Sequence, residues 1–183
     1  MNIKNITACL LTKEKTYPQV ILDNVNEYPF KEVLIGTHSP SPYMKHELFK
    51  MVKTKYIYYQ DDDAIVPIDE LLKKSKPNII NVGMKQGHFD AYIGSRSTMG
   101  LGWGAIFPKS LLESLHLYTD KYGYDNVYQR ETERILTYLN WPQNRIVLDI
   151  QDLPSAYAED RLWRQPDHEV FKALAISRCN NLV

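Results

Sequence analysis

Three short apolar runs near the amino terminus, separated by two stretches of helical period, leave this chain few folds to choose from. The first, residues 5–11, is apolar at almost every position, the pattern of a strand buried on both faces. The polar stretch Thr12 to Lys15 ends it. Pro18 then suits the first position of a helix carrying Val20, Ile21, Leu22 and Val25. A second run, Glu32 to Ile35, stops at Gly36, Thr37 and His38, and a loop with Pro40 and Pro42 follows. A short helix through Leu48, Phe49 and Val52 leads into the third run, Tyr56 to Tyr59. Strand–helix–strand–helix–strand is the alternation of a parallel sheet with right-handed crossovers. The class this predicts is α/β, with a mostly parallel central sheet flanked by helices.

The third run goes straight into three carboxylates, Asp61, Asp62 and Asp63. In an open parallel sheet, ligands bind beyond the carboxyl ends of the strands. Carboxylates placed there suit a divalent cation that takes one or two protein ligands and completes its shell with phosphate oxygens and water. A solvated acidic turn satisfies the same residues. Two carboxylates about 6 Å apart repel by roughly 3 kcal/mol at an effective dielectric near 20, and by well under ~1 kcal/mol in water. Electrostatics alone therefore leaves both readings open.

The second half of the chain is less regular. Pro67 opens a helix with Asp69 and Glu70 in its first turn, where the helix dipole favours acids, and Leu71 and Leu72 turn toward the core. Asn78 to Val82 reads as a strand and residues 85–98 as strand and loop. The glycines at 100, 102 and 104 lie far from the first strand–helix turn, which argues against a dinucleotide fingerprint and for close backbone approach around Trp103 beside the site. Pro108 opens a helix with Leu111, Leu112 and Leu115. Residues 125–139 form the longest helical pattern, Arg145 to Leu148 a short strand, and Val170, Phe171, Leu174 and Ile176 mark a final helix.

At 183 residues the chain reads as one domain, 1–183, large enough to bury a core without disulfides or metal staples. A hydrophobic fraction of 44% excludes disordered and fibrous classes. Lys plus Arg equals Asp plus Glu at 22 each, which removes the electrostatic footprint of a general nucleic-acid binder and leaves only a local patch of Lys45, Lys50, Lys53 and Lys55. Cys9 and Cys179, at opposite ends, fit a reducing compartment better than a disulfide scaffold. With no apolar leader and no run approaching a membrane span, the expectation is a soluble, cytoplasmic protein.

Five stretches, in this order and spacing, resemble a small glycosyltransferase of the GT-A fold, of the compact kind encoded by large DNA viruses and phages. They are Thr-Ala-Cys-Leu-Leu-Thr-Lys at 7–13, Tyr-Ile-Tyr-Tyr-Gln-Asp-Asp-Asp at 56–63, Gly-Trp-Gly at 102–104, Arg-Glu-Thr-Glu-Arg-Ile-Leu-Thr at 130–137 and Arg-Gln-Pro-Asp-His at 164–168. The resemblance implies that Asp61 and Asp63 are the acids of an Asp-x-Asp motif. One meets the nucleotide ribose and the last ligates Mn2+ or Mg2+ on the diphosphate, with Asp62 beside them. His168 matches a carboxyl-terminal metal histidine; a surface histidine capping the last helix is its plain alternative. Thr12, Lys13, Gly36 and Thr37 match positions that cradle the nucleotide. Gly-Thr-His replaces the base-reading Asp of many relatives, so the base stays open, with UDP favoured.

An inverting transfer needs a carboxylate to take the acceptor hydroxyl's proton. Glu133 fits the family's acid-pair position, with Glu131 adjacent and Glu159-Asp160-Arg161-Leu162 a second match. The alternative is that Glu131 and Glu133 are ordinary exposed acids paired with Arg130 or Arg134, worth only tenths of a kcal/mol. Trp103 is either a platform for sugar or acceptor or a core tryptophan. The implied activity is metal-dependent transfer of a hexose-type sugar from a UDP-sugar to a glycan, glycoprotein or modified-DNA hydroxyl, in the host cytoplasm for a viral chain. A nucleotidyltransferase and a non-catalytic nucleotide- or glycan-binding module of the same fold are the rivals. The first expects a glycine-rich basic turn after the first strand, which Thr-Lys-Glu-Lys lacks.

Overall fold

A computed structural model describes residues 1–12, 18–37, 44–91, 95–96, 101–154 and 165–183. In chain order its elements are β1 (Ile6–Thr12), α1 (Gln19–Asn26), β2 (Glu32–Thr37), α2 (Met44–Met51), β3 (Tyr56–Asp61), β4 (Ala64–Ile65), α3 (Ile68–Lys74), β5 (Asn81–Met84), α4 (Gln86–Ala91), β6 (Ala105–Pro108), α5 (Ser114–Tyr122), α6 (Asn126–Leu139), β7 (Asn144–Val147), β8 (Gln151–Asp152) and α7 (His168–Asn180). Six strands make one sheet in the order β2-β1-β3-β6-β5-β7. β1 pairs in parallel with β2 and β3, and β5 in parallel with β7, while β6 runs antiparallel to both its neighbours. β4 and β8 form a separate two-stranded antiparallel piece.

All seven residues of β1 are buried, as its unbroken apolar run predicts. Alternate side chains leave opposite faces of the pleat. Cys9, Leu11, Ile57, Tyr59, Ala105 and Phe107 enter one core with Leu48 and Phe49 of α2 and Ile135 and Leu136 of α6. Ile6, Ala8, Leu10, Tyr56, Tyr58 and Ile106 enter the other, with Ile21 and Val25 of α1 and Ile68 and Leu71 of α3. Helices thus cover both faces. Each fully buried aliphatic side chain contributes about 1.5–3 kcal/mol relative to exposure.

Several local expectations change. Residues 86–91 are helical: Gln86 Nε2 donates to Asp90 Oδ1 at 2.8 Å across one turn, and Phe89 packs on the core. The glycine-rich stretch runs into β6, a central strand that the short Ala-Ile-Phe-Pro sequence hardly signals. Pro108 ends that strand and, as expected, opens a helical stretch: a 3-10 turn, Lys109–Glu113, carries Leu111 and Leu112 and runs into α5 at Ser114. In α7 the buried residues are Ala175 and Cys179, whereas Val170 and Leu174 are exposed, because the helix packs along α6 on one narrow side. Asp125 caps α6 by accepting from Tyr128 N at 3.0 Å, and its other oxygen accepts from Arg178 of α7 at 2.5 Å. Both cysteines are buried as free thiols, and burial pushes that of Cys179 up to about 12. Among the described residues, no helix is long and apolar enough to cross a membrane.

His46 lies on the inner face of α2, 5% exposed, its ring 6.0 Å from that of Tyr128 and nearly edge-on to it. Burial, reinforced by the Lys50 ammonium, lowers its pKa to about 4. The unfolded chain, with an ordinary imidazole near 6.5, therefore takes up this proton at higher pH than the fold does. The stability tied to neutral His46 is complete above pH 6.5 and drains away as pH falls toward 4, by about 2 kcal/mol after allowance for solvent screening. Urea midpoints measured from pH 7 to 4 should fall accordingly, and His46→Gln should flatten the slope between pH 6.5 and 5. An unchanged slope would assign the acid sensitivity elsewhere.

Candidate active site

The parallel register sets Leu11 beside Gly36 and Asp61, and Thr12 beside Thr37. Three strands therefore end abreast, carrying Thr12, Thr37 and the aspartate triplet. Thr12 is 2% exposed and its hydroxyl donates to Asp62 Oδ2 at 2.6 Å. The triplet forms the turn between β3 and β4, and buried groups on both sides fix it. Tyr58 OH donates to Gln60 Oε1, and Gln60 Nε2 donates to the carbonyl of Ala64, clamping the turn across its base. Leu153 N donates to the Asp63 carbonyl at 2.8 Å. This is a built turn, with all three aspartates half-buried.

Asp61 is wedged between polar partners and bare backbone. Tyr59 OH donates to its Oδ1, and Lys45 Nζ stands 3.6 Å from the same oxygen. Against Oδ2 lies Gly102, in the 3-10 turn Leu101–Trp103; a Cβ there would come within 2.0 Å of Oδ2 and 2.6 Å of Cγ. Lys45 also donates to Glu133 Oε1, and Glu133 Oε2 accepts from Leu101 N at 2.6 Å. Asp61, Lys45, Glu133 and the Leu101–Gly102 backbone close a ring that joins β3, α2, α6 and the turn before β6. The Lys45 side chain is only 12% exposed, with Nζ 5.3 Å from the centre of the Tyr59 ring. Burial alone would lower its pKa; the Asp61 and Glu133 carboxylates outweigh that and hold it above the ordinary lysine range.

The remaining expected residues divide. Gly36 is half-buried against Leu11 and Leu48, and Thr37 is exposed at the end of the edge strand β2. Trp103 is half-buried, with the His88 ring 4.4 Å away and edge-on and Lys85 Nζ 5.7 Å from its centre. Lys13 and the acidic group at 159–162 lie outside the described residues. His168 opens α7, its Nδ1 3.6 Å from Glu131 Oε1. Glu131 is 5% exposed and bound by Arg134 Nε at 2.7 Å, so the reading of it as an exposed acid fails, although the partnership with Arg134 holds. Glu133 is covered as well, 15% exposed at its side chain, and its partner is Lys45 in place of either arginine. The lysine patch also shrinks, since Lys45 is buried and Lys50 is paired with Glu47.

Among the described residues, no three His, Cys, Asp or Glu side chains converge to hold a metal, so Asp61, Asp63 and His168 do not form a closed ligand set. The oxygen donors at the turn are nevertheless of the kind that suits Mg2+ or Mn2+ sharing its shell with a phosphate ligand, a cation that needs only one or two protein carboxylates. Sequence reasoning missed Lys45, Tyr59, Gln60 and the contact of Gly102 with Asp61. One signal was available: Lys45 sits in the first turn of α2, where the helix dipole disfavours a cation, so it calls for anionic partners.

Gly102→Ala isolates the wedge, because nothing about the backbone at this position demands glycine beyond the space that Asp61 takes. The variant should fold with a loss of about 1–3 kcal/mol, and its crystal structure should show the Asp61 carboxylate turned away from Tyr59 and Lys45. An Asp61 left in place would mean that the turn, rather than the side chain, absorbs the methyl group.

No family model matches the chain, and no curated protein does. Solved structures do. Glucosyl-3-phosphoglycerate synthase from Mycobacterium tuberculosis, in complex with Mg2+ and UDP, superposes with a TM-score of 0.53 at 12% identity, over 96% of this chain and 79% of that one. The same enzyme with Mn2+, UDP and phosphoglyceric acid gives 0.54 at 12% identity, over 95% and 78%. Likeness at this identity is one of architecture. The chain has the GT-A fold of these glycosyltransferases, a mostly parallel sheet between helices.

Proposed function

We propose that this protein is a glycosyltransferase that moves a sugar from a nucleoside diphosphate donor, a UDP-sugar, to an acceptor hydroxyl with inversion, using Mn2+ or Mg2+. The observation that carries the reading is the meeting of Asp61, on the strand end where a GT-A fold takes its donor, with Glu133, far along the chain, through the shared Lys45 ammonium. An acidic turn alone would suit many proteins. An acidic turn with a second, separately anchored carboxylate beside it suits a reaction that needs both a diphosphate site and a base.

Asp61 and Asp63 would hold the cation, with Asp62 kept in place by Thr12. His168 would join them as a further ligand only by moving toward the aspartates, since it stands here beside Glu131 at the start of α7. A bound divalent cation stabilises the negative charge that gathers on the leaving diphosphate. Thr12, Gly36 and Thr37, at the strand ends, would meet the base and ribose, and Lys13, outside the described residues, joins them in this reading. Trp103, packed against the core with His88 and Lys85 at its ring, enters this reading as the platform for sugar or acceptor. Glu133 keeps lone pairs beyond those engaged by Lys45 and Leu101, because a carboxylate accepts about four hydrogen bonds. It would take the proton of the acceptor hydroxyl as that oxygen attacks the anomeric carbon. The acceptors in view are a glycan, a glycoprotein or a modified DNA base. The burial of Lys45 removes one cation from the patch that a duplex would use.

Calorimetric titration with UDP and GDP, with and without Mn2+, tests the donor site. One nucleotide should bind, with Mn2+ present, and Asp63→Asn should weaken that binding at least about tenfold through loss of a metal-ligating charge. Unchanged binding in the variant removes Asp63 from the metal site. A second measurement follows UDP release from UDP-sugars. Glu133→Gln should keep nucleotide binding while slowing release by about 100-fold or more; a variant that turns over normally moves the base to another residue. Nucleotide binding without turnover under any acceptor would favour the binding module.

A further inference from the structure

We propose that Lys45 is the internal counter-ion of the candidate metal site, so that Asp61 accepts a divalent cation only when a nucleoside diphosphate arrives with it. The inference rests on the reading above that Asp61 and Asp63 take the metal. Its own basis is the placement of the ammonium. Lys45 Nζ is within contact of Glu133 Oε1, 3.6 Å from Asp61 Oδ1 and 5.3 Å from the Tyr59 ring centre, in surroundings that leave the side chain 12% exposed. Two carboxylates and an aromatic face already form a cation site here, and the chain fills it with its own lysine.

A second cation brought to Asp61 meets this ammonium at close range, where burial leaves little water or salt to screen the repulsion. Asp61 also cannot retreat from the lysine, since Gly102 bars it on one side and Tyr59 holds Oδ1 on the other. The ammonium therefore weakens the hold of Asp61 on a free divalent ion. A diphosphate changes the balance: it adds negative charge and gives the ammonium an anionic partner besides Asp61 and Glu133. Metal and nucleotide then each raise the other's affinity by the same factor, as linkage requires. Lys45 acts in this as a positioning residue that sets the order of assembly and holds Glu133 in place.

The test is Mn2+ binding, read by electron paramagnetic resonance of the free ion, in wild type, Lys45→Gln and Lys45→Arg, each with and without UDP. Circular dichroism checks that each variant is folded. Wild type should bind Mn2+ weakly alone and far more tightly with UDP. Lys45→Gln should bind Mn2+ alone about tenfold more tightly than wild type, with the enhancement by UDP reduced by the same factor. Lys45→Arg should behave as wild type. Equal Mn2+ affinity of Lys45→Gln and wild type in the absence of UDP overturns the proposal. So does wild type that binds Mn2+ equally well with and without UDP, a result that needs no variant to fold. Wild type that binds no Mn2+ even with UDP sinks the metal reading itself, and this inference with it.

Discussion

Everything at the candidate site depends on β1 being paired along both edges in the same direction. Because Ile6–Thr12 is buried on both faces, it has one stable place, the interior of the sheet, and its two parallel neighbours must end where it ends. A slip of one residue on either side would turn every buried side chain of the slipped strand to the wrong face. The packing of these buried side chains on both faces therefore holds the register, and the register brings Thr12, Thr37 and Asp61 to one end of the sheet. The polar ends of the strands are arranged by what their apolar middles require.

The three aspartates, alike in sequence, are put to three uses. Asp62 is drawn to the Thr12 hydroxyl, Asp61 to Tyr59 and Lys45, and the Asp63 backbone is tied to Leu153. The division follows from the chain leaving the strand at Asp61 and turning at Asp62 and Asp63. Gln60, buried beneath the turn, fixes it at its base: its amide bridges Tyr58 and the Ala64 carbonyl, satisfying polar groups that burial would otherwise leave costly.

Across the fold, α6 carries two glutamates with opposite affiliations. Glu131 sits at a local break in the helix, with φ −116° and ψ 19°, and is bound by Arg134 within the contact to α7, where Arg130 clasps Asp167 at 2.8 Å by both terminal nitrogens. Glu133, two residues on, points to a different part of the molecule and meets Lys45 and Leu101 N. Residues two apart on a helix do not share a face. That geometry distributes one acid to the helix–helix contact and the other to the strand ends, and it separates the group that braces α7 from the group beside the aspartate turn.

The sequence by itself determined the α/β class, the burial of β1, the position of the aspartates at a strand end and the long helix within 125–139, because each is written in residues close together in the chain. Hydrophobic period, caps and turn residues are local, and local patterns can be read locally. Only the tertiary structure decided that β6 enters between β3 and β5, that Gly102 makes room for Asp61, that Lys45 is an internal cation and that Glu133 rather than Glu131 faces the strand ends. Four residues of strand carry too little period to reveal their neighbours, and a lysine in a polar helix looks the same whether water or two carboxylates surround it. Burial settles such cases, and burial is a property of the packed chain.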